Sequence, residues 1–163
     1  METTKTEQAQ RLSFCEAAPT RALLDRLTEL SARWETEHSC RGYRKNTDAD
    51  ILENRIFLAR EGEVVVGYAL GHVSTAENAS SVMPNGTPCF ELEELYVLPE
   101  YRDRRIGRKL MAYVEQAVEN EAAFLTLTTA TKDFDAILRF YTNAVGMDFW
   151  SARLFKKIGG DEA

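Results

Sequence analysis

Residues 92–115 read LEELYVLPEYRDRRIGRKLMAYVE, and this stretch decides the fold. Its first half alternates like a β-strand and stops at Pro99, whereas its second half carries apolar residues at helical spacing from Ile106 onward. A turn therefore joins a strand to a helix. A further apolar run at 124–129 completes a β-α-β unit, whose two strands are normally parallel and connected by a right-handed crossover.

The turn inside this unit is a basic island in an acidic chain. Residues 101–110 contain five Arg and Lys side chains and one Asp, whereas the chain of 163 residues has 20 basic and 26 acidic residues and a formal net charge of −6. The rest of the chain therefore has a net charge of −10. A helix N-terminus presents free backbone N–H groups and partial positive charge, so this turn is typical of a phosphate-binding site.

The flanking sequence predicts a single α+β domain. Residues 1–10 are polar and predicted to be disordered, and residues 11–163 form the domain. The loop at 74–88 is long enough to suggest a functional role. The remaining predicted elements are a strand at 11–16, a helix over 23–34 capped by Thr20, a short helix at 48–54, a hairpin of strands at 56–60 and 64–73, a helix that ends at Gly146, and one or two strands within 149–157.

Several protein classes are excluded by what the chain contains. Cys15, Cys40 and Cys89 are odd in number and widely spaced, which fits neither a disulfide framework nor a zinc site. His38 and His72 are interpreted as surface or core residues, and without an HExxH or CxxC motif no metal is expected. The acidic composition argues against a nucleic-acid partner. No apolar run reaches membrane-spanning length and no signal-peptide core is present, so we expect a soluble cytoplasmic protein.

The quoted stretch resembles the acetyl-coenzyme A signature of the GNAT N-acetyltransferase superfamily. In that family a strand ending in a hydrophobic-aromatic-Val stretch and a Pro-Glu-Tyr-Arg segment lead into a pyrophosphate loop of the form [QR]-x-x-G-x-[GA]. The chain matches at 95–97 (LYV), at 99–102 (PEYR) and at Gly107. It departs at Asp103 and Arg105, where the family often has Gly. A positive φ at Arg105 is costly for a residue with a Cβ.

A second match lies at 136–146, where AILRFYTNAVG resembles the family's A-x-x-[FL]-Y-x-x-x-G-[FM] pattern. The strand at 64–69 is also weakly similar, and together the motifs span about half of the chain. The resemblance implies an α+β fold with a mixed, splayed central sheet flanked by helices. Acetyl-CoA, the cosubstrate, would lie between the strands at 91–98 and 124–129.

The resemblance also implies which residues bind acetyl-CoA. Backbone groups at the strand end would hold the pantetheine arm and polarise the thioester carbonyl. Backbone N–H groups of the loop would hold the pyrophosphate, and arginines would add positive charge. The residues implied are Leu95, Tyr96, Val97, Arg102, Asp103, Arg104, Arg105, Ile106, Gly107 and Arg108.

Direct acetyl transfer to a primary amine in a ternary complex needs a base for the amine and an acid for the thiolate. Tyr141 stands at the position of the family's usual acid. Glu93 is the first candidate for the base, directly or through a water, because some polyamine-type acetyltransferases carry a glutamate there. Strand periodicity puts Glu91 and Glu93 on the face opposite Glu94 unless a bulge intervenes. Glu94 and Glu91 are candidates for binding a cationic acceptor, although all three also fit a solvated acidic strand face.

Alternatives stay open at this level. The acceptor is a small cationic amine, an aminoglycoside-like compound or a peptide amine. A non-catalytic acyl-CoA-binding sensor or interaction module is the second reading, and a nucleic-acid-binding module built on the basic island is the third. Trp34, Tyr43 and the loop at 74–88 are expected to border the acceptor pocket. The segment at 149–153 would close that pocket or form part of a dimer interface. Homodimers are common in the resembling family.

Overall fold

A five-stranded sheet in the order β1-β2-β3-β4-β5 forms the centre of the protein in the computed structural model, which describes residues 11–159. The predicted disordered segment 1–10 lies outside the described residues. Neighbouring strands from β1 to β4 are antiparallel, and β5 is parallel to β4. The strands are β1 (Leu12–Ala17), β2 (Arg55–Glu61), β3 (Val64–Thr75), β4 (Pro88–Val97) and β5 (Phe124–Leu127).

The helices begin where local capping chemistry allows. The Thr20 hydroxyl accepts a hydrogen bond from the Leu23 N–H at 3.2 Å, so the first helix begins where the sequence predicted. Thr47 and Asp50 form a reciprocal capping box at the start of the second helix. The helices are α1 (Arg21–Glu37), α2 (Asp48–Leu52), α3 (Ile106–Val118) and α4 (Phe134–Arg139), which continues as a π-helical turn (Phe140–Val145). The predicted α+β class with a mixed sheet is confirmed.

Helices α1 and α3 cover opposite faces of the sheet. On one face Tyr113 of α3 meets Phe57 edge to face, with ring centroids 6.4 Å apart. On the other face Trp34 of α1 stacks on Tyr96 at 5.2 Å. Aromatic and aliphatic side chains from both faces are fully buried, which gives the sheet a hydrophobic layer on each side.

Strands β4 and β5 diverge part of the way along the sheet. Their pairing runs from Cys89 opposite Phe124 to Leu92 opposite Leu127 and stops there. Strand β4 continues along β3, whereas residues 130–132 pair instead with residues 39–41 through Arg41 N–H to Ala130 O (2.9 Å) and Lys132 N–H to Ser39 O (2.8 Å). The outer edge of β4 over 93–97 therefore faces an opening, so the predicted splayed sheet is confirmed.

A β-bulge lies where the divergence begins. Leu92 is opposite Gly71 and Glu94 is opposite Leu70, so Glu93 is the extra residue in β4. Gly71 is required at this point. A Cβ there would lie 2.5 Å from the Glu91 carbonyl oxygen and 2.6 Å from the Phe90 ring.

The strands predicted within 149–157 do not form. Residues 147–158 adopt neither helix nor strand, and the described residues offer them no backbone ladder. A strand is stable only when its backbone groups pair with a neighbouring edge, so the strand-forming composition of this segment is not sufficient.

None of the helices in the described part of the chain combines the length and the apolar composition needed to cross a lipid bilayer.

We predict that Gly71→Ala destabilises the protein, because the new methyl group must displace backbone and a buried ring. Overpacking of this kind costs ~1–3 kcal/mol. The melting temperature should fall by ~2–4 °C for each kcal/mol lost in a protein of this size. Val73→Ala, at an exposed position two residues along the same strand, is the control and should unfold near the wild-type temperature. Equal melting temperatures for both variants would contradict the steric argument.

Candidate functional site

The loop that enters α3 has a left-handed backbone at two residues without glycine. Asp103 has φ of 62° and Arg105 has φ of 61°, and Arg105 is the residue that caps α3. The turn therefore has the backbone conformation that glycine usually adopts, and residues with a Cβ adopt it at a cost in conformational energy. The first intrahelical bond is donated by Lys109 N–H to Arg105 O at 3.0 Å. The preceding N–H groups of Ile106, Gly107 and Arg108 are the free donors of a helix N-terminus.

The arginines of this loop divide into two kinds. Arg102 donates from Nε to the Val97 carbonyl oxygen and from its guanidinium to both oxygens of Glu37, each at 2.9 Å. Arg104 is bonded to Glu61 at 2.8 Å. Arg105 and Arg108 are exposed and form no salt bridge within residues 11–159. Arg102 thus ties the loop to the end of β4, and uncompensated positive charge lies at the start of α3.

Tyr141 lies in the π-helical turn that packs on this same helix start. A Cβ on Gly107 would lie 3.3 Å from the Phe140 ring, and Phe140 meets Tyr141 edge to face at 5.0 Å. Burial, with a smaller contribution from the Cys40 thiol, raises the pKa of Tyr141 to about 12. The phenol is therefore protonated at neutral pH, which is the state that a proton donor needs.

A cleft of about 640 Å³ lies beside Cys40, and we call it the loop cleft. Trp34 and Tyr43, which the sequence placed at the acceptor pocket, line it together, with ring centroids 4.3 Å apart. Its lining residues are Trp34, Glu35, Thr36, His38, Ser39, Cys40, Arg41, Gly42, Tyr43 and Lys132. The loop at 74–88 and the segment at 149–153 do not line it.

A second cleft, of about 430 Å³, opens at the bulge of β4, and we call it the acidic cleft. Glu93 and Glu94 were predicted to lie on opposite faces unless a bulge intervenes, and the extra residue at the bulge places both glutamates in this cleft. The bulge that the sequence left as an option is present. The lining residues are Asn46, Asp50, Glu53, Asn54, Leu70, His72, Glu93 and Glu94.

Glu94 is held rigidly through one of its two oxygens. Its Oε2 accepts hydrogen bonds from Tyr68 Oη (2.8 Å), Asn46 Nδ2 (2.9 Å) and Tyr43 Oη (3.4 Å). Its Oε1 accepts none from the described residues and is not sealed in the interior, so it is free to bind a ligand in the acidic cleft. Burial raises the pKa of Glu94, and the three donors oppose that rise. Burial also raises the pKa of Tyr43 and Tyr68, which keeps both hydroxyls as donors.

His72 lies between two of the predicted carboxylates. Its Nε2 is 3.8 Å from Glu91 Oε2, its Nδ1 is 3.9 Å from Glu93 Oε1, and Nδ1 is also 3.2 Å from Asn54 Oδ1. One ligand atom from each of His72, Glu91 and Glu93 lies within 4.8 Å of the others, which is close enough to share a cation. Sequence reasoning missed this cluster, because it depends on the pairing of His72 with Glu91 across β3 and β4.

Tyr43 connects the two clefts. Its ring lines the loop cleft, and its hydroxyl reaches Glu94 in the acidic cleft. Tyr141 lies beside Cys40 of the loop cleft, whereas Glu93 lies in the acidic cleft. The predicted base Glu93 therefore lines the acidic cleft, whereas the predicted acid Tyr141 lines neither cleft and lies near Cys40 of the loop cleft.

Comparison with known proteins identifies one family. The model of the Acetyltransferase (GNAT) family matches residues 23–147. No curated protein matches the sequence.

Solved structures share the fold at low sequence identity. The aminoglycoside N-acetyltransferase AAC(6')-Iy in complex with CoA superposes with a TM-score of 0.66 at 17% identity, covering 91% of this chain and 95% of that one. The aminoglycoside acetyltransferase meta-AAC0020 from an uncultured soil metagenomic sample, in complex with sisomicin, has a TM-score of 0.64 at 16% identity, with coverage of 91% and 97%. A transcriptional regulator from Bacillus halodurans has a TM-score of 0.66 at 19% identity, with coverage of 91% and 100%.

The left-handed backbone at Arg105 predicts that Arg105→Gly stabilises the fold. Relief of the αL penalty, about 1–2 kcal/mol, exceeds the extra unfolded-state entropy of glycine, about 0.4–1 kcal/mol. We therefore expect a net gain of ~0.5–1 kcal/mol in urea unfolding. Arg108→Gly, at a helical position three residues later, is the control and should destabilise. A loss of stability in Arg105→Gly would show that its side chain supports the loop.

The raised pKa of Glu94 predicts a pH-dependent effect of Glu94→Gln. The folded wild type keeps a proton on Glu94 at pH values where the unfolded chain, with a pKa near 4.3, has lost it. The wild-type contribution to the free energy of unfolding therefore falls as pH rises from about 4 to the folded pKa. The free energy of unfolding of Glu94→Gln minus that of wild type should increase over this range in urea titrations. A difference that is flat or falls with pH would contradict the assignment.

Proposed function

Because the chain belongs to the GNAT acetyltransferase family, we propose that it is an acetyl-CoA-dependent N-acetyltransferase that acts on a primary amine of a cationic acceptor. The observation that carries the proposal is the acidic cleft at the bulge of β4, where Glu94 Oε1 accepts no hydrogen bond from the described residues. Glu93, the proposed base, lines the same cleft. The family supports the reaction class, and the charge of the cleft supports the acceptor class.

The protein offers the groups that bind acetyl-CoA. The edge of β4 at 95–97, which does not pair with β5, supplies backbone groups for the pantetheine amides and the thioester carbonyl. The N–H groups at the start of α3 supply donors for the pyrophosphate. Bound acetyl-CoA would supply the activated acetyl group.

The salt bridges of the loop arginines indicate which of them are available to bind the phosphates of acetyl-CoA. Arg105 and Arg108 are the stronger candidates, because Arg102 and Arg104 already pair with Glu37 and Glu61. Asp103 contributes through its backbone.

Tyr141 and Glu93 divide the proton transfers. Glu93 takes a proton from the acceptor ammonium, directly or through a water, so that the neutral amine nitrogen can attack the thioester carbonyl carbon. A C–N bond forms and the C–S bond breaks, and the second proton of the attacking nitrogen then restores the Tyr141 phenol while Glu93 releases its proton to water. Tyr141 gives its proton to the departing sulfur, and a raised pKa of about 12 supports this protonated role. The products are an N-acetylated amine and free CoA.

The acceptor is proposed to carry more than one positive charge. Glu53, Glu93 and Glu94 line one cleft of about 430 Å³ together with Asp50, which already pairs with Arg44 at 2.8 Å. The three remaining carboxylates attract a polycation more strongly than a neutral amine. Glu94, held by three donors, provides a fixed anchor, and Glu91 lies beside His72 next to the cleft. The structural neighbours that act on aminoglycosides support the same acceptor class. Polyamines and aminoglycosides satisfy this charge requirement better than a peptide amine does.

The proposed function is tested by acetyl-CoA binding and by CoA release. Acetyl-CoA at 100 times its Kd should stabilise the folded protein by ~2.7 kcal/mol. Released CoA should then be measured with a polyamine, an aminoglycoside, a peptide amine and a neutral amine. An unmoved melting temperature together with no CoA release from any amine would overturn the proposal. Stabilisation without release from any amine would instead support the non-catalytic acyl-CoA-binding module.

We predict that Tyr141→Phe lowers kcat by ~10²–10⁴-fold, the range for loss of a general acid. The Kd for acetyl-CoA should stay near that of wild type, because the phenol contributes to the departure of sulfur rather than to binding. Isothermal titration and steady-state kinetics measure the two quantities separately. Tyr113→Phe, on α3 in the core, is the control and should keep its kcat. An unchanged kcat in Tyr141→Phe would remove Tyr141 from the mechanism.

A further inference from the structure

The loop that enters α3 holds two strained residues within three positions. Asp103 and Arg105 have φ of 62° and 61°, a left-handed backbone that is uncommon for a residue with a Cβ. A residue in this conformation persists only where the surrounding structure holds it. The free N–H groups at the start of α3 depend on this backbone, because Arg105 is the residue that caps the helix. Contacts from outside the loop are therefore needed to keep it in place.

Two carboxylates from other elements supply such contacts. Glu37, the last residue of α1, accepts hydrogen bonds from Arg102 Nη2 on both of its oxygens at 2.9 Å. Glu61, the last residue of β2, accepts one from Arg104 Nη2 at 2.8 Å. The two arginines are the residues on either side of Asp103. We call these two ion pairs the tethers, since they hold the loop to α1 and to β2 around its first strained residue.

The carboxylates are the fixed members of the tethers. The Glu37 side chain is 21% exposed, and that of Arg102 is 43% exposed. The corresponding values are 22% for Glu61 and 49% for Arg104. Glu37 Oε1 also accepts a hydrogen bond from the buried Tyr96 hydroxyl at 2.8 Å. The Arg104 guanidinium lowers the pKa of Glu61, so this carboxylate is ionised at neutral pH. The carboxylates therefore position the arginines and, through them, the loop backbone.

We propose that Glu37 and Glu61 are positioning residues for acetyl-CoA. Their tethers hold the loop at 102–105 in the left-handed conformation that presents the N–H donors of α3 to the pyrophosphate. Both carboxylates act through arginines, because a carboxylate in contact with a phosphate would repel it. The tethers do for Asp103 and Arg105 what the conformational freedom of glycine would do without them. This proposal rests on the proposed function, since it takes acetyl-CoA as the ligand of the loop.

The charge of the ligand makes the direction of the effect informative. Acetyl-CoA is an anion, so the removal of a negative charge near its site would by itself favour binding. Loss of a tether instead lowers the fraction of molecules whose loop is competent to bind, and the apparent Kd rises in inverse proportion to that fraction. The second effect should dominate, because a strained backbone relaxes once its surroundings release it.

The test measures the Kd for acetyl-CoA by isothermal titration of the full chain. Glu37→Gln and Glu61→Gln keep the size of the side chain and remove its charge. Each should raise the Kd by roughly 3–10-fold, between the effects of an exposed ion pair and of a buried charged hydrogen bond. Amides at 103–108 should also exchange faster in both variants before ligand is added. Glu29→Gln is the control, because it removes a carboxylate of α1 that pairs with Arg26 at 3.0 Å, and it should bind as wild type.

The variant Asp103→Gly supplies a readout that a merely structural role would not change. Glycine adopts a positive φ at no steric cost, so a loop with this substitution depends less on its tethers. The factor by which Glu37→Gln raises the Kd should therefore be smaller in the Asp103→Gly background. A general loss of stability would instead give the same factor in both backgrounds, because the two changes would then be independent.

The outcomes separate this proposal from the proposed function. A wild type that binds no acetyl-CoA would overturn both. If the wild type binds and either Glu37→Gln or Glu61→Gln binds equally well or more tightly, this proposal alone is wrong. It is also wrong if the Asp103→Gly background leaves the factor unchanged, if Glu29→Gln raises the Kd as much, or if the loop amides exchange as in wild type.

Discussion

The divergence of β4 from β5 after Leu92 is the constraint on which the rest of the structure depends. Parallel pairing holds the two strands together up to Leu127, and the bulge at Glu93 then turns the β4 ladder away. Gly71 is what allows the turn, because nothing larger fits against the Glu91 carbonyl. The same irregularity opens the strand edge and brings Glu93 and Glu94 into one cleft. A single local departure from regular pairing thus creates both halves of the candidate site.

Charge is arranged along β4 and the loop that follows it. Carboxylates cluster at the bulge, and arginines begin within ten residues, where the strand gives way to α3. Arg102 bridges the two regions, since it bonds both the Val97 carbonyl and Glu37. A cation and a polyanion can therefore approach the same strand from opposite ends without competing for the same side chains. The net charge of the whole chain conceals this arrangement.

The sequence was sufficient to predict the elements that depend only on the spacing of nearby residues. Thr20 marked the start of α1, and the apolar period from Ile106, between two strand-like runs, marked the helix of the β-α-β unit. The pairing of residues across strands could not be predicted from local spacing. The bulge depends on the contact of Gly71 with β4, and the neighbours of His72 depend on the same register. The absence of the strands predicted at 149–157 shows the same limit, because β-forming composition acts only through pairing with an edge, and this segment pairs with none in the described residues.

Tyr43 makes the occupancies of the two clefts interdependent. Its ring is a wall of the loop cleft, and its hydroxyl belongs to a chain of hydrogen bonds that runs from the Asn46 N–H through Ser31 to Glu94. A ligand that shifts the ring on one side alters the donors that orient the carboxylate on the other. By thermodynamic reciprocity the second ligand changes the affinity for the first by the same factor. The order in which two ligands fill the clefts then affects the kinetics of assembly but leaves the total binding energy unchanged.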